Sequence, residues 1–199
     1  MWKFYKVMKG AKYMDILSKF TEQLCGEFNN DNQIIQEEKQ GRIIHPKAKH
    51  INGICNHKIN NLPKDFNGYF IIEESYYEQG TFKNILPHLF LFTLNENKNI
   101  VLTSYELPSG ISKEDFRNDN HDLTMDYNQL QKSEKFTPMI YTENSGVFTG
   151  ESISFFTPET KFVLKETVTK NTLSVSEVFY KNDKITFGFI DPIVYDKIK

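Results

Sequence analysis

YFIIEESYYEQ, at residues 69–79, is the longest extended-looking stretch of the chain. In a strand, successive side chains point to opposite faces. One face would carry Phe70, Ile72, Glu74, Tyr76 and Glu78, and the other Tyr69, Ile71, Glu73, Ser75, Tyr77 and Gln79. Both faces mix apolar and acidic residues, which is typical of a strand between an outer shell and a polar-lined pocket. Because adjacent glutamates point opposite ways in a regular strand, we expect one of Glu73 and Glu74 to face inward or toward an edge.

Further strand patterns follow at short intervals along the chain. Residues 86–94 and 100–107 flank a polar loop and predict a hairpin. The segments 137–142, 147–156, 161–169, 173–180 and 184–190 alternate with short turn sequences and predict an antiparallel meander. A kinked strand is expected within 42–61, where Ile51, Cys55, His57 and Ile59 would share a face. So many antiparallel strands either split into a sandwich or close into a barrel, and a barrel of about eight or more strands has room for a small ligand.

Helical patterns are few. Residues 14–28 predict an amphipathic helix, because Ile16, Leu17, Phe20, Leu24 and Phe28 recur at intervals of three and four. Residues 33–40 fit either a short helix or an extended loop, and the polar segment 111–135 contains two weak helical patterns.

Length and composition narrow the class of protein. A chain of 199 residues fits one domain, and we expect residues 1–13 to be a loosely attached lead and residues 14–199 to form that domain. A net charge of -2 gives no electrostatic basis for nucleic-acid binding, and an aromatic content of 14% favours strands and hydrophobic pockets. No apolar stretch is long enough for a membrane span or a signal-peptide core, so we expect a cytoplasmic protein that does not enter a membrane.

Two other groups of residues could carry chemistry. The set His45, His50, Cys55 and His57 fits no standard zinc-ligand spacing, so we expect no metal site there. Cys25 falls at the end of the predicted helix, where the negative end of the dipole disfavours a thiolate nucleophile. By contrast, an inward glutamate on the 69–79 strand needs a ligand, a basic side chain or water as its partner, because a buried unpaired carboxylate is costly.

Three short motifs, in the same order, resemble those of the T-type phycobiliprotein lyases, the CpcT/CpeT family. The first is Leu24-Cys-Gly-Glu-Phe-Asn-Asn30 followed by Gln33, which is similar to the family's Gly-Glu-Phe-x-Asn-x-x-Gln signature. The second is Tyr77-Glu78-Gln79 followed by Pro87. The third comprises Phe148-Thr-Gly150, Ser176-Glu-Val178 and Gly188-Phe189. Together the motifs cover roughly residues 16–190, which makes the set more specific than any single motif.

The resemblance implies a mainly β fold, a lipocalin-like (calycin) antiparallel barrel of about ten strands with an N-terminal helix. It also implies a chromophore lyase that binds a linear tetrapyrrole (a bilin) and delivers it to a cysteine of a phycobiliprotein subunit, often as a homodimer. Candidate ligand-binding residues are Tyr77, Glu78 and Gln79, with Glu74 and Tyr76 on the alternative face and His88 as a polar replacement in the altered Pro87 segment.

The chain departs from the family at Pro87-His-Leu-Phe-Leu91, where Leu89 and Leu91 replace the two arginines of Pro-Tyr-Arg-x-Arg. Arginine is a natural partner for the propionates of a bilin. Three functions therefore stay open: a chromophore lyase, a carrier of a hydrophobic small molecule without chemistry, and a protein-interaction barrel that has lost bilin binding.

Overall fold

The computed structural model describes residues 16–198. Two α-helices are present in this range, α1 over 16–24 and α2 over Asp31–Lys39. The strands are β1 (Gly26–Asn29), β2 (Lys47–Ile54), β3 (Ile59–Asn60), β4 (Tyr69–Gln79), β5 (Phe82–Leu94), β6 (Ile100–Tyr105), β7 (Met125–Asp126), β8 (Met139–Asn144), β9 (Val147–Thr157), β10 (Thr160–Val168), β11 (Thr172–Lys181), β12 (Lys184–Gly188) and β13 (Ile193–Lys197). The lead predicted for residues 1–13 lies outside the described residues.

Ten of the strands close into an antiparallel barrel, the fold that the family resemblance implies and one of the two that the strand patterns allow. The order around the barrel is β10-β9-β8-β6-β5-β4-β2-β1-β13-β11, and pairing of β10 with β11 completes the circle. Strand β11 has two partners besides β10: its first half, residues 172–175, pairs with β13, and its last residues, 178–181, pair with β12. Closure leaves no free edge in the barrel wall, and it places alternate residues of every strand inside.

The predicted hairpin and meander are both confirmed, as β5–β6 and as β8 to β12. The predicted helix over 14–28 is wrong at its C-terminal end. In the described residues the helix covers 16–24, and Gly26–Asn29 instead forms β1 between β2 and β13. Gly26 adopts φ 137, a backbone conformation that glycine tolerates and that ends the helix, so that Phe28 reaches the interior from a strand.

The strand expected within 42–61 is also shorter than predicted. Regular pairing ends at Ile54, and Asn56–Lys58 forms a 3-10 turn before the short β3. Cys55 and His57 therefore do not share a strand face with Ile51. The prediction of a shared face is wrong because it extended one alternating pattern from β2 through the 3-10 turn, where the alternation of a strand does not hold. The ambiguous segment 33–40 is helical, in α2, whereas the weak helical patterns of 111–135 yield one 3-10 turn, Tyr127–Gln129.

Helix α1 fills one end of the barrel. The Phe20 ring lies 4.7 Å from the Tyr141 ring, 5.1 Å from Phe148 and 5.2 Å from Phe92, measured between centroids. Leu17 and Leu24 are buried in the same cluster. Rings at these separations in tilted or edge-on geometry add to the hydrophobic stabilisation, so α1 acts as a packed plug at this end.

A second core lies outside the barrel wall. The outward side chains Phe70, Ile72, Leu89 and Leu91 of β4 and β5 are buried under the segment 106–138. Phe116, Leu123 and Met125 of that segment complete the cluster, and parallel pairing of β7 with β3 holds the segment in place. This second layer explains why β4 is apolar on both faces. Within residues 16–198, neither helix has the length and apolar character needed to cross a bilayer.

Candidate functional site

A cavity of about 240 Å³ opens at the end of the barrel opposite α1. Its apolar lining consists of Pro46, Leu86, Val175, Phe187, Phe189 and Ile193, and its polar lining of Tyr77, Asn84, Glu177 and Tyr195. The inward positions near the open ends of β4, β5, β11 and β13 provide much of this lining, together with β12 and the residue after it. The cavity therefore has a hydrophobic wall around a small group of polar side chains.

Gly188 shapes one side of this mouth. It adopts φ 90, and a Cβ atom built at this position would lie 1.8 Å from the carbonyl oxygen of Glu177. No other residue type fits without a shift of the backbone. The close approach brings Phe187 and Phe189, on either side of Gly188, to the rim of the cavity.

The polar side of the cavity centres on Glu177. The Tyr77 hydroxyl donates a hydrogen bond of 3.4 Å to a Glu177 carboxyl oxygen. The neighbouring Tyr195 is fully buried; its hydroxyl lies close enough to Tyr77 to interact with it, but it has no partner that meets full hydrogen-bond geometry among the described residues. Burial raises the pKa of the Glu177 carboxyl, and the nearby Glu73 charge raises it further. Burial and the Glu177 charge likewise raise the pKa of both tyrosines, which therefore keep their protons at neutral pH.

Below the cavity, His50 and Glu73 form a buried pair, with 3.7 Å between His50 Nδ1 and Glu73 Oε2. Burial alone would raise the pKa of the Glu73 carboxyl, but the nearby His50 lowers it overall. Burial would lower the pKa of His50, yet Glu73 raises it above its ordinary value. Ser75 also donates a hydrogen bond of 3.2 Å to Glu73. Each of the two groups therefore favours the charged form of the other.

Glu166 and His88 are two further titratable groups of the interior. Glu166 accepts a short hydrogen bond from the Tyr141 hydroxyl. Burial and the Glu73 charge raise the pKa of the Glu166 carboxyl to about 8, so it is mostly protonated at neutral pH. Burial lowers the pKa of His88, which lies opposite Glu73 and stacks on Phe90 with 5.5 Å between ring centroids. His88 is therefore a neutral imidazole.

The candidate residues from the sequence separate into different locations. Tyr77 lines the cavity, and His88 occupies an inward register position deeper in the barrel. Glu78 is exposed and forms a salt bridge of 3.1 Å with Lys83. Gln79 is the last residue of β4 and pairs with Phe82. A ligand-binding role for these four residues stays a prediction, and the geometry brings only Tyr77 to the cavity wall.

Glu74 and Tyr76 lie on the outer face of β4, away from the cavity. Glu74 is 1% exposed and accepts hydrogen bonds of 2.8 Å from both the backbone and side-chain nitrogens of Asn118. Tyr76 donates a 2.5 Å hydrogen bond to Glu74, and Arg117 lies over its ring. These contacts hold the segment 106–138 against the outer face of the barrel. Of the adjacent glutamates 73 and 74, it is Glu73 that faces inward.

Three important residues of the site, Glu166, Glu177 and Tyr195, were not singled out from the sequence. The signal for two of them was present in the alternation of the late strands. Phe162, Leu164 and Val168 share a face with Glu166, and Leu173, Val175 and Phe179 share a face with Glu177. A lone glutamate within an apolar face predicts a buried carboxyl that needs a partner.

The histidine and cysteine set has no common site. His45 contacts Glu37 at 2.5 Å, His50 faces the interior, and the His57 ring belongs to the 3-10 turn. Within residues 16–198, no group of three or more potential ligands has an arrangement that could hold a metal ion. Burial raises the pKa of Cys25 and of Cys55 to about 12, which leaves both thiols protonated at neutral pH.

No protein-family model matches the chain, and a search of curated proteins finds no significant match. The chemistry of the cavity therefore has to be inferred from the residues that line it.

Proposed function

We propose that the protein is a calyx-type binding protein that holds a hydrophobic small molecule in the mouth of its barrel. The observation that carries this proposal is the cavity itself, with apolar side chains on its wall and Tyr77, Glu177 and Tyr195 grouped at one side. Ligand pockets typically combine such walls with a few polar groups that fix the orientation of the ligand. The closed barrel supports the proposal because its wall is rigid and its rim is built from several strands.

The size of the cavity limits the ligand. A dry cavity of about 150 Å³ can hold benzene, whereas pockets for drug-sized ligands occupy about 300–1,000 Å³. At about 240 Å³ the present cavity falls between these values. We therefore propose a ligand of one or two rings, or a longer ligand that inserts one end.

The chromophore-lyase form of this proposal is supported by the sequence resemblance and by the position of Tyr77 in the cavity wall. Leu89 and Leu91, which stand where the family has arginines, are buried in the outer core rather than in the cavity. Their replacement therefore does not alter the cavity lining. A four-ring bilin is too large for this volume and could insert only one end. The geometry therefore favours a carrier of a smaller molecule over a chromophore lyase.

The binding proposal is tested with the neutral fluorescent probe N-phenyl-1-naphthylamine. We expect its emission to rise in the wild-type protein, and Leu86→Trp to weaken binding at least about tenfold because the indole fills the cavity. The matched control is Ile85→Trp on the same strand, since Ile85 is 43% exposed on the outer face. No emission change with the wild type, or equal binding by both tryptophan variants, would contradict the proposal.

The chromophore form needs a separate measurement. Titration with biliverdin should shift its visible absorbance if the bilin inserts, and Leu86→Trp should remove that shift. A bound bilin that never becomes attached to a co-expressed phycobiliprotein subunit would exclude transfer and leave carriage. An unshifted spectrum would exclude both bilin forms without affecting the result with the neutral probe.

A further inference from the structure

The interior of the barrel has more acidic groups than basic groups to pair with them. The groups that face Glu177 are Tyr77 and Glu73 from β4, Tyr195 from β13, His50 from β2 and Glu166 from β10. His50 pairs with Glu73, and His88 is neutral. Among residues 16–198, neither Glu166 nor Glu177 forms a salt bridge with a lysine, arginine or histidine. Glu166 and Glu177 thus have no salt-bridge partner of their own in the described part of the chain.

One of these two carboxyls faces the cavity beside an unused polar atom. Glu177 lines the cavity, and so does Tyr195, whose buried hydroxyl lies near Tyr77 but makes no hydrogen bond of full geometry in the described part of the chain. A buried polar atom without a partner is rare in native proteins and calls for a ligand or water to satisfy it. Both the carboxylate and the hydroxyl oxygen accept hydrogen bonds, so together they suit a ligand with several donors.

The surrounding wall also suits a positive charge. The rings of Tyr77, Tyr195, Phe187 and Phe189 all border the cavity. Aromatic faces attract cations, and rings around a carboxylate form a common setting for an organic ammonium group. A metal ion is disfavoured because no group of three or more potential ligands converges within residues 16–198.

We propose that the molecule bound in this cavity carries a positively charged nitrogen, which docks between the Glu177 carboxylate and the Tyr195 hydroxyl. This ligand class presupposes the binding function proposed above. It adds a specific recognition element, a salt bridge formed only when the ligand is present, to a cavity that otherwise selects by shape and hydrophobicity.

Binding of a positively charged ligand is coupled to the protonation of Glu177. Burial raises the pKa of Glu177 in the free protein, and docking of a cation favours the ionised carboxylate, so binding releases the proton from any molecules in which Glu177 is protonated. Affinity for a cation therefore rises with pH until Glu177 is ionised in the free protein as well. Affinity for a neutral ligand of the same shape lacks this dependence.

The test compares phenethylamine, which is protonated at neutral pH, with 2-phenylethanol, its neutral counterpart of nearly equal size. Isothermal titration calorimetry in two buffers of different ionisation enthalpy measures both affinity and proton release. We expect the amine to bind at least about tenfold more tightly than the alcohol, with proton release that increases as the pH is lowered toward the pKa of Glu177, and Glu177→Gln to remove this preference. Glu151→Gln, on the exposed outer face of β9, is the matched control and should retain the preference.

The possible failures are distinguishable. Equal binding of amine and alcohol by the wild type would overturn the cationic ligand but leave the binding function intact. The same holds if Glu177→Gln folds normally by circular dichroism and retains the preference. Binding of neither probe, together with no emission change for the naphthylamine, would overturn both. Because the amine-to-alcohol ratio is measured on the wild type, the proposal is tested even if Glu177→Gln does not fold.

Discussion

Replacing Glu166 with glutamine should change how the stability of the protein depends on pH. The Glu166 carboxyl is 7% exposed and hydrogen-bonded to Tyr141, and its pKa is raised from an ordinary 4.5 to about 8. Between these two values the unfolded chain has lost this proton while the folded protein retains it. Stability therefore falls as pH rises through this range, because the folded state binds more protons.

The size of the effect follows from the difference between the two pKa values. Each pKa unit corresponds to 1.36 kcal/mol, so full titration of Glu166 removes on the order of 5 kcal/mol from the free energy of unfolding. Glutamine preserves the shape of the side chain and an oxygen that accepts the Tyr141 hydrogen bond, but it does not ionise. Burying the amide changes the free energy of unfolding by an amount that does not depend on pH, so it cancels when two pH values are compared.

Urea unfolding of the wild type and of Glu166→Gln at about pH 5 and about pH 9 measures this effect as a double difference. We expect the free energy of unfolding of the variant, relative to that of the wild type, to increase by several kcal/mol from about pH 5 to about pH 9. Glu151→Gln, which removes an exposed carboxylate of the adjacent β9, should show little change. A difference between Glu166→Gln and the wild type that stays constant with pH would refute the assignment of Glu166 as a buried acid.

Three further substitutions test the packing and the ion pair. Gly188→Ala should cost about 1–3 kcal/mol or more in urea unfolding, because its Cβ would lie 1.8 Å from the Glu177 carbonyl oxygen; an unchanged midpoint would contradict this close approach. His50→Ala should cost about 3–5 kcal/mol at neutral pH by leaving the Glu73 carboxylate unpaired. Because the pKa of Glu73 is lowered, its contribution is present above its ordinary 4.5 and lost as pH falls through the lowered value, so equal losses for His50→Ala at neutral and strongly acidic pH would exclude the ion pair. Phe20→Ala should lower the free energy of unfolding by about 3–5 kcal/mol, and a loss below about 1 kcal/mol would show that α1 is not a plug.

The strands could be predicted because alternation is a local property of the sequence, whereas their closure into a barrel was implied only by the family resemblance. The 69–79 stretch and the late meander each contain a two-residue period between recognisable turns, and both became strands. The helix end was misplaced because Phe28 continues the helical spacing of α1. Its burial comes instead from β1, whose position depends on pairing with β2 and β13, which are distant in sequence. Tertiary pairing here overrides a local periodicity.

The cavity was harder to predict than the fold. The stretch 69–79 has acidic residues on both faces for two separate reasons: Glu73 pairs with His50 inside, whereas Glu74 anchors Asn118 of the outer segment. Sequence alone could not separate these roles, because the outer segment 106–138 carries little periodicity that predicts its docking. The role of Glu177 could not be predicted, because it depends on closure of the barrel, which brings β11 close to β4 and places Glu177 within hydrogen-bond distance of Tyr77.

The plug formed by α1 has a kinetic consequence. Within residues 16–198, α1 fills the end of the barrel opposite the cavity, so a molecule arrives and departs through one opening. Association and dissociation then cross the same barrier. One side of that opening is β12, which pairs with β11 alone among the described strands. A substitution in β12 that makes the strand more mobile but leaves Phe187 and Gly188 in the cavity wall would raise both rate constants together and leave Kd nearly constant. Residence time would then depend on the mobility of the rim as well as on the side chains that contact the ligand.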